Sequence, residues 1–186
     1  MEKNKTKEAL AVSFKELVLT QPIEKITIKE ITDRAGVIRA TFYNHFQDKY
    51  ELLEWIIKEE LILPIIPLFH GGFMKEGMIL IFINIENNKE FYTHAAKLEG
   101  QNSFASIVQK LIEEMVVRYI KSKKGENVHF REWMTAEMVA EYYARSIRYI
   151  ATKWITTGYL IPPAELANLC EIVFESNLDD IINEMK

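Results

Sequence analysis

Apolar residues along this chain recur every three to four positions, the period of a helix rather than a strand. Leu10, Phe14, Leu17 and Val18 share one face of a helix predicted over residues 6–20, which Gln21-Pro22 ends. Thr27 opens a second helix, and Glu30 three residues on completes a capping-box pattern, with Ile28, Ile31 and Ala35 on the inner face. Ala35-Gly36 breaks it after about two turns, and Gly36 suits the left-handed position of a tight corner. A very short third helix is predicted over residues 38–45, then a longer fourth, capped by Asp48, with Tyr50, Leu53 and Ile57 on its apolar side. Three short helices with a tight turn between the second and third make helix-turn-helix geometry.

The remainder is also helical in pattern, interrupted by Pro64, Pro67 and Gly71-Gly72. Helices are predicted over residues 78–85, 89–98, 104–120 and 135–157, the last with Ala136, Val139, Tyr143, Ile147, Ile150 and Trp154 along one side. The polar stretch 121–129 reads as a loop, and Gly158 stops the long helix. Pro163 suits the first turn of a final helix that carries Leu166, Leu169, Val173, Leu178 and Ile181. The fold class is all-α, with a helix-turn-helix domain over residues 1–50 and a larger helical domain over 51–186.

Composition narrows this picture. Five prolines and seven glycines in 186 residues are few, as long helices require. A lone cysteine, Cys170, cannot form an internal disulfide and points to a reducing compartment. No signal-peptide pattern opens the chain, and its most apolar runs are too short to span a bilayer, so a soluble cytoplasmic protein with no membrane partner is expected. The net charge of −4 is unevenly placed: residues 1–49 hold nine basic against seven acidic side chains, the only positive balance in the chain.

That positive quarter contains the polar run 38–45, set between the apolar anchors Val37, Phe42 and Phe46. With the anchors turned inward, Arg39, Ala40, Thr41, Tyr43, Asn44 and His45 remain for the outside or its margins. Arg pairs with guanine edges, Asn with adenine, and Thr and Ala methyls touch thymine methyls. Tyr43, His45 and Lys49 can donate to phosphates, and Thr27 stands at a helix N-terminus where a phosphate is also favoured.

The segment Thr27-Ile28-x-x-Ile31-x-x-x-Ala35-Gly36-Val37-x-x-x-Thr41-Phe42-Tyr43-x-His45-Phe46-x-x-Lys49-x-x-Leu52-Leu53 resembles the TetR/AcrR family of bacterial transcription regulators. The resemblance implies an N-terminal DNA-binding domain, a helical effector-binding and dimerisation domain, and a homodimer on a palindromic duplex, acting by the family's habit as a repressor. It places Thr27, Arg39, Ala40, Thr41, Tyr43, Asn44, His45 and Lys49 at DNA-contact positions. Two residues depart from the family pattern: Ile38 stands where Ser or Thr is usual, and Ala40 where Gly is frequent. Family members pair through their last two helices, which implicates Ile147, Ile150, Trp154, Leu169, Val173, Leu178 and Ile181, carried on two apolar stripes expected to form a hairpin. TetR-like proteins similar to this chain in a Trp-Ile-x-x-Gly segment, here Trp154 to Gly158, act with dihydroxyacetone-kinase-type proteins. The alternative is therefore a coactivator working through such a protein partner.

Aromatic residues of the second domain, Phe82, Phe91, Tyr92, Phe104, Trp133, Tyr142 and Tyr149, are candidates to line an effector pocket. Arg145 and Arg148 could meet an anionic effector. The four histidines lie outside metal-ligand spacing, and no nucleophile motif, phosphate-cradling loop or dinucleotide fingerprint occurs. Neither an enzyme nor a cofactor or metal is expected.

Overall fold

The computed structural model describes residues 2–123 and 134–175, and every regular element among them is helical. Helix α1 (Glu2–Val18) packs on α2 (Ile28–Ala35) and on α4 (Lys49–Ile57). All four residues of its expected face, Leu10, Phe14, Leu17 and Val18, are buried. They meet Ile26, Ile31, Phe42, Leu52 and Leu53 in one core. Each fully buried side chain of this size is worth roughly 1.5–3 kcal/mol, so a handful of them hold the three-helix head together.

The boundaries of α2 have local causes. Thr27 Oγ1 accepts from the Glu30 amide at 3.2 Å, and the Thr27 amide donates back to Glu30 Oε2 at 2.8 Å, a complete capping box. Gly36 closes the helix at φ 69°, a left-handed conformation that costs a residue with a Cβ about 1–2 kcal/mol. The five-residue α3 (Arg39–Tyr43) follows at once. Asp48 then caps α4, accepting from the amides of Tyr50 and Glu51, both at 2.8 Å.

Beyond α4 the chain does not stop at its prolines; it loosens. A π turn spans Lys58–Ile62 and a 3₁₀ turn Leu63–Ile65, leading into α5 (Ile66–His70). Pro64 has no amide hydrogen, so the carbonyl of Glu60 loses its helical donor. Asn84 Nδ2, from α6 (Met74–Asn87), donates to that carbonyl at 2.8 Å instead. Helix α7 (Lys89–Ala95) turns back toward α1, and α8 (Phe104–Lys123), α9 (Ala136–Thr156) and α10 (Pro163–Glu175) complete the second domain. Residues 121–123, expected in a loop, extend α8.

Two expectations for the last helices need correction. Among the described residues they do not pack chiefly on each other as a hairpin: α9 packs mainly along α8, and α10 along α6. The fully buried face of α9 is also rotated from the expected stripe, comprising Ala140, Ala144, Ala151, Trp154 and Ile155, while Val139, Tyr143, Ile147 and Ile150 are half-buried. Alanines let helix backbones approach closely, so the small residues take the contact that bulk and periodicity assign to the larger ones. A ring contact between Tyr143 and Phe174, centroids 5.4 Å apart, and the ion pair Lys75–Glu171 at 2.7 Å anchor α10 to α9 and α6.

Candidate nucleic-acid interface and effector cavity

The reading head is a short helix with a greasy root. Phe42 is fully buried and Phe46 nearly so; their rings lie 5.7 Å apart, and Phe46 lies 5.9 Å from Trp55 of α4. Lys7 Nζ covers that pair from α1, 5.3 Å from the Phe46 ring and 5.6 Å from the Trp55 ring. With those aromatics turned in, Arg39, Ala40, Tyr43 and Asn44 are exposed, and Thr41 and His45 are half-buried. Arg39 Nη2 donates to Tyr43 Oη at 3.3 Å, which aligns the two polar tips one helical turn apart. Ile38, 72% exposed, precedes α3 without any side-chain cap bond, so the departure from Ser or Thr removes a hydroxyl and leaves an apolar group at the leading edge.

Two of the expected phosphate contacts are already engaged. The Thr27 hydroxyl donates to Glu30 Oε2 at 2.7 Å, and Gln21 Nε2 donates to Glu30 Oε1 at 3.1 Å. Bonds from the Thr27 hydroxyl and amide, then from Gln21, lower the Glu30 carboxyl to a pKa of about 2. The N-terminus of α2 therefore already carries a carboxylate of its own, bound to the Thr27 amide and hydroxyl. Lys49 Nζ donates to the carbonyls of Glu24 and Ile26, at 2.7 and 2.8 Å. Burial pulls its pKa below the usual lysine range, against the attraction of Glu24, Asp48 and Glu30. Lys49 thus braces the turn before α2, a role that its position beside Asp48 in the sequence does not announce.

The second domain encloses a cavity of about 230 Å³ between α4, α6, α8 and α9. Phe82 and Phe104 line it. The other proposed pocket aromatics lie elsewhere. Phe91 faces Lys15, whose Nζ is 5.1 Å from its ring. Tyr92 is buried and donates to Glu60 Oε2 at 2.7 Å. Tyr142 and Tyr149 are 61% and 65% exposed on the outer side of α9, and Trp133 lies outside the described residues. Residues missed from sequence are Val108, Ile112, Met115 and Tyr119 of α8, with Tyr143 and Phe174. Their signal was present: from Phe104 to Tyr119 the α8 lining follows the helical repeat, and a search restricted to aromatics passes over Val108, Ile112 and Met115 within it. The lining is almost wholly apolar, and its side-chain hydroxyls are those of Tyr119 and Tyr143. Arg145 pairs with Glu141 on the surface of α9, and neither Arg145 nor Arg148 lines the cavity.

Among the expected dimer contacts, Trp154 is an internal strut. Its Nε1 donates to the Ile161 carbonyl at 2.8 Å, and its ring meets Phe82 and Tyr159 edge-on. The Trp154–Gly158 segment therefore builds the α9–α10 corner, where Gly158 adopts φ 88°. Ile147 faces the cavity, Ile150 and Val173 are half-buried, Leu169 is 44% exposed, and Leu178 and Ile181 lie outside the described residues. No group of acidic, histidine and cysteine side chains among the described residues is placed to hold a metal ion, and no described helix is long and apolar enough to cross a membrane.

A helix-turn-helix head on a larger helical domain is the architecture of a DNA-binding regulator. Residues 15–56 match the family model described as bacterial regulatory proteins, tetR family, and residues 74–176 match the transcriptional regulator C-terminal region of the same family. The chain belongs to the TetR family, and it is a transcriptional regulator rather than an enzyme. It is similar to the HTH-type dhaKLM operon transcriptional activator DhaS of Lactococcus lactis subsp. lactis (strain IL1403), 25% identical over 82% of this chain and 81% of the relative. Its fold is shared by the dihydroxyacetone kinase operon activator DhaS (TM-score 0.62, 22% identity, covering 90% of this chain and 93% of that one). A TetR-family regulator from Syntrophomonas wolfei str. Goettingen is likewise similar in fold (TM-score 0.64, 16% identity, 90% and 91% covered). So is NalD of Pseudomonas aeruginosa, the secondary repressor of the MexAB-OprM multidrug efflux pump (TM-score 0.59, 16% identity, 92% and 96% covered).

Proposed function

We propose that this regulator reads a palindromic duplex as a homodimer, through Arg39, Ala40, Thr41, Tyr43, Asn44 and His45, with Thr27 and Lys49 at the margin. The observation that carries the proposal is the division of α3 into a buried aromatic root and an exposed polar tip. Half-sites lie about one helical turn apart or slightly more. Met138, Tyr142 and Tyr149 form one exposed face of α9, and with the exposed Leu169 of α10 they are the side chains we assign to pairing. This face replaces Trp154 in the dimer assignment.

The effector is a small, neutral, largely apolar molecule held in the cavity beside Phe82, Phe104 and Ile112. It acts by preferring one of two head arrangements, because a ligand shifts an equilibrium only by its differential affinity for the two states. The likeness to an operon activator favours activation over the repression habitual in the family. It also supports a second reading, coactivation through a protein partner such as a dihydroxyacetone-kinase-like subunit.

Selection of bound duplexes from a random DNA pool, with wild type beside Tyr43→Ala, tests the reading. A palindrome that emerges for wild type and fades for the variant supports dimeric sequence reading. No enrichment at moderate salt overturns autonomous reading and brings the protein-partner alternative forward. Light scattering at micromolar concentration is expected to give a dimer, and a monomer would refute the pairing surface.

A further inference from the structure

The π turn that follows α4 has two working faces. On one, Leu61 and Ile62 line the cavity. On the other, the Glu60 carboxylate joins three elements: Oε1 accepts from Lys15 Nζ of α1 at 2.7 Å, and Oε2 accepts from Tyr92 Oη of α7 at 2.7 Å. Lys15 Nζ also donates to Asn88 Oδ1 at 2.7 Å, and Asn88 Nδ2 donates to the Asn84 carbonyl at 3.0 Å. Asn84 in turn holds the Glu60 carbonyl that Pro64 leaves without a donor.

We infer that this Lys15–Glu60–Tyr92–Asn88 junction positions the DNA-reading head and transmits cavity occupancy to it, with the π turn as the moving part; this rests on the cavity being the effector site. A π turn replaces the i→i+4 bonds of an α-helix with wider i→i+5 bonds, here Leu63 N–H to the Lys58 carbonyl, and such turns recur at functional positions. Here adjacent residues of the turn touch the cavity and grip α1. Displacing Leu61 or Ile62 therefore rotates Glu60, and the short bonds at Glu60 leave little freedom to absorb that rotation. Lys15 and Glu60 are only partly exposed, at 22% and 30% of their side chains, and Tyr92 is buried, so the junction is less screened than a surface ion pair. Among the described side chains it is the polar network that ties α1 to the π turn, α6 and α7 together.

The test compares coupling, not binding alone. Operator affinity is measured with and without a neutral probe, N-phenyl-1-naphthylamine, whose fluorescence independently reports cavity binding. The proteins are wild type, Lys15→Met, which keeps the aliphatic stem, and Tyr92→Phe, which removes one hydroxyl. In wild type the probe is expected to change operator affinity by roughly 5- to 150-fold. In Lys15→Met the same probe should bind with unchanged affinity while that ratio falls below about twofold, with Tyr92→Phe between the two. A purely structural role would lower stability and leave the ratio alone. Equal ratios in all three proteins overturn the junction and leave the effector cavity standing. If neither the probe nor a cavity-filling Val108→Trp alters wild-type operator affinity, the effector reading falls and this inference falls with it.

Discussion

The reading head and the cavity domain use the same kind of side chain in opposite ways. In the head, Phe14 and Phe42 are fully surrounded, and every nearby turn is pinned by a cap, a left-handed glycine or a lysine bound to carbonyls. In the cavity domain, Phe82 and Ile112 are as buried as their counterparts in the head, yet they border empty space. Burial from water is thus equal in the two regions, and packing contact is not. The head has filled its interior; the cavity domain has left one side of its wall without partners, as the effector site proposed above requires. The difference in packing makes the head the stiffer region and the cavity wall the more compliant one.

Truncation of a core residue in each region gives the largest expected contrast. Phe42→Ala should destabilise by about 3–5 kcal/mol and abolish operator binding, because it removes the root of α3. Ile112→Ala should cost nearer about 2 kcal/mol, the low end of its range, since part of its surface already lacks neighbours. Urea unfolding of both variants measures this, and an equal loss in the two would erase the distinction. The naphthylamine probe should still bind folded Phe42→Ala, which separates loss of the head from loss of the cavity.

Arg39→Ala comes next. It is expected to weaken operator binding by about 1–3 kcal/mol and to relax sequence preference at one base position, while thermal stability stays near wild type. Fluorescence anisotropy across operator variants checks it; a uniform loss over all sequences would mean that Arg39 meets phosphate instead. Gly36→Ala should cost about 1–2 kcal/mol, because the added Cβ meets open space and only the left-handed backbone opposes it.

The smallest effect concerns acid. Glu30 has a carboxyl lowered in the folded head to about 2, so its capping bonds contribute fully above its unfolded value near 4.5. That contribution is lost as pH falls from about 4.5 toward 2. Glu30→Gln should remove this segment of the acid dependence and leave the cavity domain's own titration unchanged. An identical acid-unfolding profile in the two proteins would show that the capping carboxylate contributes nothing measurable.

How far the sequence reached follows the same division. The capping box at Thr27 and Glu30, the Gly36 corner, the Asp48 cap and the burial of Phe42 and Phe46 were all legible. Each depends on residues within a few positions of one another. The outward display of Arg39, Tyr43 and Asn44 followed from their spacing around those anchors. The bracing role of Lys49 was not legible, because its acceptors lie on another segment. Of the candidate pocket aromatics, Phe82 and Phe104 border the cavity while Phe91, Tyr92, Tyr142 and Tyr149 do not, since helical period says which residues share a face and is silent on what that face meets.

By itself, then, the sequence determined an all-α chain, a helix-turn-helix head and the face of α3 that looks outward. These rest on periodicity, caps and turn chemistry, which are short-range. Only the tertiary structure decided that α9 packs on α8 through alanines and that Trp154 is an internal strut. It alone placed Lys15 against Glu60 beside an apolar cavity. Those outcomes depend on which helices meet and how closely, and a contact between residues 45 positions apart leaves no periodic trace in the chain.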